Sequence, residues 1–183
     1  MRIVGGRFGG RILASPRDRA IRPTSDRLRE ALFNILLHAY GDPVTGARVL
    51  DLFAGAGALG LEALSRGAAF ALFVDDGVAA RGLIRANVEA LGVGGVTRIF
   101  RRDATRLGPA HPVKPFSLAF ADPPYHRGLG ERALASARDG GWLQPGALAV
   151  VEDAIGRVKS PAGFKEVERR SYDDTELVFL KAP

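Results

Sequence analysis

The sequence predicts an α/β fold: a mostly parallel, seven-stranded sheet with covering helices and an antiparallel hairpin at its C-terminal end. Three observations predict it. Between residues 48 and 152, short apolar runs alternate with helical stretches, which is typical of a parallel sheet. Continuous apolar runs such as Val49-Leu50 and Leu72-Phe73-Val74 suit strands that are buried on both faces. Near the C-terminus, two segments of alternating polarity flank residues 173–175, so we expect them to form a hairpin.

The N-terminal part predicts a second, smaller hairpin followed by a helix. Short runs at residues 2–4 and 11–13 are separated by two Gly-Gly pairs, which allow tight turns. Thr24 or Ser25 can cap a helix whose apolar positions recur every three or four residues as far as Ala39. This spacing gives the helix one apolar face, which we expect to dock on the rest of the protein.

Positive charge is concentrated in this N-terminal part. The net charge is +6, and the first 30 residues, with eight arginines and three acidic residues, account for +5 of it. Arginine without lysine favours phosphate binding and base stacking, so we expect a polyanion as the partner. The helix is expected to expose Arg27 and Arg29. A turn at residues 41–43 separates a basic extension at residues 1–40, packed on the body, from the body at residues 41–183.

The body predicts strands and helices in alternation. We predict strands near residues 48–54, 70–75, 96–101, 116–121 and 147–152, and helices near residues 57–66, 78–91 and 128–139. The closing hairpin is expected at residues 165–171 and 176–180.

Composition excludes several kinds of site. The chain of 183 residues suffices for about one domain, and its lack of cysteine removes disulfides, thiolate zinc sites and cysteine nucleophiles. The three histidines, His38, His111 and His126, are scattered, so we expect no metal. No apolar run approaches the roughly 18 to 20 residues of a membrane span. We therefore expect a cytoplasmic protein with no membrane partner.

A glycine-rich turn after the first strand of the body predicts a cofactor site. Residues 55–60 match the Gly-x-Gly-x-x-Gly pattern, in which backbone N–H groups approach a ligand at a helix N-terminus. The second strand ends in Asp75, where an acid would hold a ribose diol. Both features suit a dinucleotide or an adenosyl cofactor.

Two further acids favour the adenosyl cofactor. Asp51 precedes the glycine-rich turn, where it would repel a pyrophosphate but attract the cationic tail of S-adenosylmethionine. The third strand leads into Asp103-Ala104, whose carboxylate and N–H could contact an adenine, although such an acid can also simply end a strand. A nicotinamide oxidoreductase stays possible on the glycine pattern but does not explain Asp51.

The fourth strand is followed by a rigid segment, Asp122 to Tyr125, which we call the shelf. Two prolines restrict its backbone and donate no N–H, while Asp122 and the Pro123 carbonyl offer acceptors and Tyr125 offers a flat ring. Such a segment suits a planar group that bears an amine. A Pro-Pro pair can also serve only as a stiff exit turn, so the shelf alone does not decide between these functions.

These motifs together resemble a known family. The shelf after the fourth strand is similar to that of class I S-adenosylmethionine-dependent methyltransferases that methylate exocyclic amines. More narrowly, residues 2–6, 22–34 and 51–67 resemble the RsmD family, and the resemblance covers nearly the whole chain. It implies a class I, Rossmann-like methyltransferase fold and transfer of a methyl group to N2 of a guanine in bacterial 16S ribosomal RNA. Gly77 stands where many relatives carry an acid, which leaves open whether Asp75 or Asp76 holds the ribose.

The residues and the resemblance together imply specific roles. The amine would be held by Asp122 and the Pro123 carbonyl, with Pro124 stiffening the shelf and Tyr125 stacking on the base. Cofactor contacts are expected from Asp51, Phe53, Gly55, Gly57, Asp75, Asp103 and Ala104, and RNA contacts from Arg2, Arg7, Arg11, Arg22 and Arg27.

The expected partner is ribosomal RNA within a small subunit or its assembly intermediate, bound by a monomer that releases S-adenosylhomocysteine. Two alternatives stay open: an adenine-N6 methyltransferase on DNA or RNA, and an inactive RNA-binding or ribosome-assembly protein. Neither the shelf nor the glycine-rich turn separates guanine from adenine.

Overall fold

A seven-stranded sheet forms the centre of the computed structural model, which describes residues 1–16 and 25–183. The strand order is β3-β2-β1-β4-β5-β7-β6, in which the first five strands are parallel and β7 pairs antiparallel with both neighbours. This confirms the predicted mostly parallel sheet with an antiparallel C-terminal hairpin. The strands are β1 (Arg48–Leu52), β2 (Phe70–Val74), β3 (Thr97–Phe100), β4 (Phe116–Ala121), β5 (Leu143–Ala154), β6 (Lys165–Tyr172) and β7 (Thr175–Lys181).

Helices cover both faces of the sheet. They are α1 (Asp26–Ala39), α2 (Ala58–Ser65), α3 (Val78–Leu91) and α4 (Leu129–Asp139). Successive strand residues point to opposite faces, so Val49 joins a core cluster with α1, α2 and α3, whereas Leu50 joins a second cluster with α4. Across residues 1–16 and 25–183, no helix has the length and hydropathy needed to span a membrane.

The N-terminal residues pack on the side of the sheet that carries α1 and α2. The predicted hairpin is a single antiparallel bridge between Arg2 and Ile12, with a 3-10 turn at Gly6–Phe8. Ile3 and Leu13 are buried in the same core cluster as α1. These contacts bury the apolar side of the hairpin against the core of the sheet.

The start of α1 shows why the helix begins where it does. The hydroxyl of Ser25 accepts a hydrogen bond from the backbone N–H of Leu28 at 3.1 Å, so Ser25 is the cap among the described residues. Thr24, the other candidate cap, lies outside the described residues. Buried apolar side chains then recur at the predicted spacing along α1, at Leu28, Leu32, Phe33, Ile35 and Leu36.

Strand β5 is longer than predicted. It begins at Leu143 rather than at residue 147, because its pairing with β4 shifts register between Phe116 and Leu118 and the strand continues across the irregularity. Gly146 lies within this irregularity with a φ of +71°. Pro145 and Gly146 are turn residues by composition, so the sequence predicted a strand that begins only after them.

Candidate active site

Three strand ends meet at one edge of the sheet. Leu52 at the end of β1 is in register with Val74 of β2 on one side and with Ala121 of β4 on the other. The residues that follow these strands therefore emerge side by side, at the carboxyl edge where ligands of such sheets bind. The glycine-rich turn, Asp75 and the shelf begin at this edge.

The glycine-rich turn has a backbone shape that its sequence makes possible. Gly55 and Gly57 have φ values of +57° and +83°, which glycine adopts without strain. Phe53, just before them, has a φ of +58°, an uncommon value for a residue with a side chain. Strain of this kind concentrates at functional sites. A Cβ atom built on Gly55 would have no neighbour within 4 Å, so the turn leaves open space for a ligand.

Asp75 holds this turn from the neighbouring strand. One carboxylate oxygen accepts from the backbone N–H of Gly55 at 2.9 Å, and the other from that of Gly77 at 2.8 Å. Each oxygen keeps acceptor capacity for a further donor, such as a ribose hydroxyl. Asp76 is exposed. Asp75 thus joins the glycine-rich turn to the start of α3, and its contact with a ribose stays a prediction.

Asp51 is buried against the N-terminal part of α2. Its side chain is 1% exposed and accepts from the backbone N–H of Gly60 at 2.9 Å. Gly60 has to be glycine, because a Cβ there would come within 2.4 Å of the Phe73 ring. Burial raises the pKa of Asp51 to about 8. The carboxyl group supports the turn through α2, while its direct contact with a cofactor tail stays a prediction.

Asp103 caps the short 3-10 turn Ala104–Arg106 that follows β3. The Asp103 carboxylate accepts from both the backbone N–H and the hydroxyl of Thr105, at 2.8 and 2.7 Å. The hydrogen bond from the Thr105 hydroxyl is the main cause of the lowered pKa of Asp103. Asp103 is exposed and Ala104 is buried. The acid therefore serves as a strand-end cap, and the predicted adenine contact is untested by this geometry.

The shelf is held against α4. Pro123 is buried, whereas Asp122 is half-buried and Pro124 exposed. The first turn of α4 approaches closely at Gly130, where a Cβ would lie 2.7 Å from Val151 and 3.6 Å from the Pro123 ring. Glycine at this position lets the helix pack closely on Pro123 and Val151.

Tyr125 is anchored at its hydroxyl. This group donates to Oε1 of Glu152 at 2.8 Å and lies 2.8 Å from Oγ1 of Thr175. The Thr175 hydroxyl lies 3.0 Å from the carbonyl of Asp153, to which it can donate. Burial, with the nearby Glu152 carboxyl, holds the pKa of Tyr125 above its ordinary value. The tyrosine therefore stays neutral at ordinary pH, with its ring oriented by β5 and β7.

The segment after the shelf is also held in place. The backbone N–H of His126 donates to the carboxylate of Asp153 at 3.2 Å, and His126 has a φ of +66°. Its ring meets that of Tyr125 edge to face, with centroids 6.1 Å apart. In the part of the chain that the structure describes, no group of three or more acidic, histidine or cysteine side chains could hold a metal ion.

Comparison with known proteins identifies the family. The family model described as "Conserved hypothetical protein 95" matches residues 1–181. Ribosomal RNA small subunit methyltransferase D of Escherichia coli strain K12 is 42% identical over 156 residues, which are 85% of this chain and 75% of that protein. The chain belongs to the RsmD family. It is therefore a methyltransferase, as the sequence motifs predicted.

Solved structures share the fold of this RsmD-family chain. A hypothetical protein from Thermus thermophilus is 32% identical, with a TM-score of 0.75 and coverage of 98% of each chain. A 16S rRNA N2 guanine methyltransferase from the same species, solved with AdoMet and guanosine, has a TM-score of 0.65 at 22% identity and matches 91% of this chain and 45% of its own. The second likeness shows that the class I methyltransferase fold is shared.

The arginines of the RsmD-family N-terminal extension differ in what they contact. Arg2, Arg7, Arg11 and Arg27 are all exposed. Arg2 pairs with Asp26 at 3.6 Å, and Arg11 donates to the carbonyl of Ala90 at 2.8 Å. The guanidinium of Arg7 lies 4.5 Å from the centroid of the Phe8 ring. Arg22, the fifth predicted RNA contact, lies outside the described residues.

The prediction that α1 exposes Arg29 is wrong. Arg29 is fully buried, and its guanidinium donates to the carbonyl of Arg2 and to the carboxylate of Asp26, at 2.5 and 2.6 Å. These hydrogen bonds compensate for the cost of burying a charge. Arg29 therefore joins the hairpin to α1 instead of serving as a surface cation.

Sequence reasoning missed four polar residues that organise the site or hold the N-terminal extension. Glu62 in α2 is fully buried and accepts from the backbone N–H groups of Val4 and Gly5, each at 2.8 Å. Its position in an otherwise apolar helix is a signal that could have revealed a buried acid. The other three bond to partners far away in sequence, which no local pattern indicates: Asn87, Glu152 and Thr175.

Proposed function

We propose that this protein transfers a methyl group from S-adenosylmethionine to the N2 amine of a guanine in 16S ribosomal RNA. The observation that carries the proposal is the register of Leu52 with Ala121, because it places the glycine-rich turn and Asp122 next to each other. A methyl donor at the turn and an amine on the shelf would then meet at this edge of the sheet. The E. coli relative is named as a ribosomal RNA methyltransferase, which supports RNA as the substrate.

Residues at three strand ends would hold the cofactor. We assign its contacts to Asp51, to Phe53, Gly55 and Gly57 of the turn, to Asp75, and to Asp103 with Ala104. Asp51 also accepts a hydrogen bond from Gly60 of α2. The open space in front of Gly55 fits such a group. When bound, S-adenosylmethionine supplies an electrophilic methyl group, whose bond to sulfur breaks as the bond to the amine nitrogen forms.

The shelf would act by positioning. A guanine N2 amine is a weak nucleophile because its lone pair is delocalised into the ring. Hydrogen bonds from the amine to Asp122 and to the Pro123 carbonyl would turn the lone pair out of the ring plane and stabilise the positive charge that develops on nitrogen. The amine proton can leave after the methyl group has arrived, so no strong base is required. Tyr125 would stack on the base once it has left its helix.

The N-terminal extension would bind the RNA. We propose that residues 1–40 form an RNA-facing unit packed on a methyltransferase body at residues 41–183, with phosphate contacts from Arg2, Arg7, Arg11, Arg22 and Arg27. The partner would be a small ribosomal subunit or its assembly intermediate, bound in the cytoplasm by a monomer. Exposure of the four described arginines supports this assignment.

Methylation in vitro tests the proposed function. Purified protein would be incubated with methyl-labelled S-adenosylmethionine and either free 16S ribosomal RNA or small subunits from cells that lack the enzyme. We expect N2-methylguanine at one position, located by nuclease digestion and mass spectrometry. N6-methyladenine as the product would indicate the adenine alternative. Absence of label in both substrates, with RNA still bound, would indicate an inactive binding protein.

A further inference from the structure

Asn87 links two parts of the molecule that the proposed function uses separately. This α3 residue is 2% exposed, and its amide makes three hydrogen bonds. Oδ1 accepts from the backbone N–H of Ala14 at 2.7 Å, and Nδ2 donates to the carbonyls of Ala14 and Ala56 at 3.0 and 2.9 Å. Because the partners comprise one donor and two acceptors, they determine which way the amide faces.

The two partners belong to the extension and to the cofactor turn. Ala14 lies near the end of the hairpin, three residues before the arginine-containing segment 17–24. Ala56 lies between Gly55 and Gly57. The buried amide of Asn87 thus hydrogen-bonds both to the proposed RNA-binding extension and to the proposed cofactor turn.

We propose that Asn87 is a positioning residue through which RNA and cofactor binding favour each other. The inference rests on the proposed function. If the extension moves away, the Asn87 amide loses its two hydrogen bonds to Ala14 and is no longer held against the Ala56 carbonyl. That buried carbonyl then lacks a hydrogen-bond donor, which costs free energy. The docked extension therefore favours the ordered turn. A ligand that stabilises either one stabilises both, and such a linkage is reciprocal.

Glu62 provides a matched control on the same extension. It holds the hairpin through Val4 and Gly5, and Ser65 accepts from the backbone N–H of Phe8 at 2.9 Å. The hydrogen bonds of these two side chains reach the hairpin and Arg66 but not residues 53–57. A change at Glu62 therefore loosens the hairpin at residues 4 and 5, and it leaves in place the hydrogen bonds of Asn87 to Ala14 and Ala56.

Binding of S-adenosylhomocysteine with and without RNA tests the linkage. Calorimetry would give its Kd for the full chain alone and with saturating 16S ribosomal RNA. For the wild type we expect RNA to tighten binding by about 5-fold or more, a typical coupling between sites. In Asn87→Asp, which lacks the donor to Ala56, and in Ala14→Pro, which lacks the N–H to Asn87, we expect this factor to fall below about 2-fold. Glu62→Gln should weaken RNA binding but keep the factor.

The outcomes are distinguishable. The proposal is overturned if RNA tightens S-adenosylhomocysteine binding by the same factor in Asn87→Asp and Ala14→Pro as in the wild type. It is also overturned if RNA does not change the Kd of S-adenosylhomocysteine for the wild type. Ala14 is exposed, so Ala14→Pro keeps the test decisive if Asn87→Asp fails to fold, which thermal unfolding would show. A wild type that does not bind S-adenosylhomocysteine at all would contradict the proposed function itself, and this inference with it.

Discussion

The hydroxyl of Tyr125 on the shelf donates to the buried carboxylate of Glu152 on β5, across 27 residues of sequence. Through this hydrogen bond Tyr125 also stabilises the packing of the shelf on β5, in addition to its proposed stacking on the base. The ring can present a face to a ligand in one orientation because its far end is held by β5 and by Thr175 of β7. Substitutions of Tyr125 can separate the contribution of its hydroxyl from that of its ring.

Tyr125→Phe keeps the aromatic ring and removes the hydroxyl that bonds to Glu152 and Thr175. We expect it to lower the free energy of unfolding by about 1–2 kcal/mol, because a hydroxyl between Glu152 and Thr175 is lost. Urea denaturation measures this loss. Tyr125→Ala, which also removes the stacking surface, should weaken RNA engagement more strongly in single-turnover assays. Equal single-turnover kinetics for Tyr125→Ala and the wild type would mean that the ring only packs.

Asp122→Ala should abolish most of the methyl transfer while sparing cofactor affinity. We expect the single-turnover rate constant to fall by about 100-fold or more, the size of effect seen when a group that stabilises developing charge is removed. Calorimetry with S-adenosylhomocysteine checks that the turn is intact. Asp122→Asn, which keeps one acceptor oxygen, serves as the matched variant and should lose less. A near-normal rate in Asp122→Ala would contradict the assigned role.

Asp51→Asn should change how stability depends on pH. The pKa of Asp51 is raised to about 8 in the folded protein, against about 4 in an unfolded chain. The folded state therefore binds the proton more tightly, so this group's contribution to stability falls as pH rises from about 4 to about 8.

Asparagine keeps an acceptor for Gly60 and does not ionise. The stability of Asp51→Asn relative to the wild type should thus increase between pH 5 and 8, by at most about 1.4 kcal/mol per pH unit. Urea unfolding at several pH values measures it. A difference that stays constant over this range would show that Asp51 is already ionised in the folded protein.

RNA affinity should depend steeply on salt through the N-terminal extension. Arg27→Ala and Arg7→Ala are each expected to reduce the slope of log affinity against log salt by about one, if each arginine contacts one phosphate. Filter binding with 16S ribosomal RNA at several salt concentrations measures the slope. Lys181→Ala, which removes a cation on β7 outside the extension, should leave the slope unchanged. A flat salt dependence of the wild type would refute the RNA-binding role of the extension.

Local sequence patterns were sufficient for the sheet and its order of elements. The strands at residues 70–74 and 116–121 were predicted correctly because a strand covered on both faces is apolar at nearly every position. The extra length of β5 was not predictable, since its pairing continues through Pro145 and Gly146, whose local preference is for a turn.

The site was predictable where a motif is contiguous, as in the glycine-rich turn and the shelf. It was not predictable where one side chain meets a distant backbone. Arg29 was expected at the surface because charge usually stays in water, but two acceptors compensate for its burial. Asn87 and Thr175 gave no sign of their roles, because their partners lie 73 and 50 residues away.

The position of Thr175 at the start of β7 has a consequence for synthesis of the enzyme. A nascent chain that has emerged as far as α4 already contains the glycine-rich turn and the shelf. It lacks both side chains that hold the Tyr125 hydroxyl, because Glu152 and Thr175 follow later. The residues of the glycine-rich turn and Asp75 are therefore synthesised well before the two side chains that hold the Tyr125 hydroxyl, and Tyr125 can be anchored only after the closing hairpin has left the ribosome.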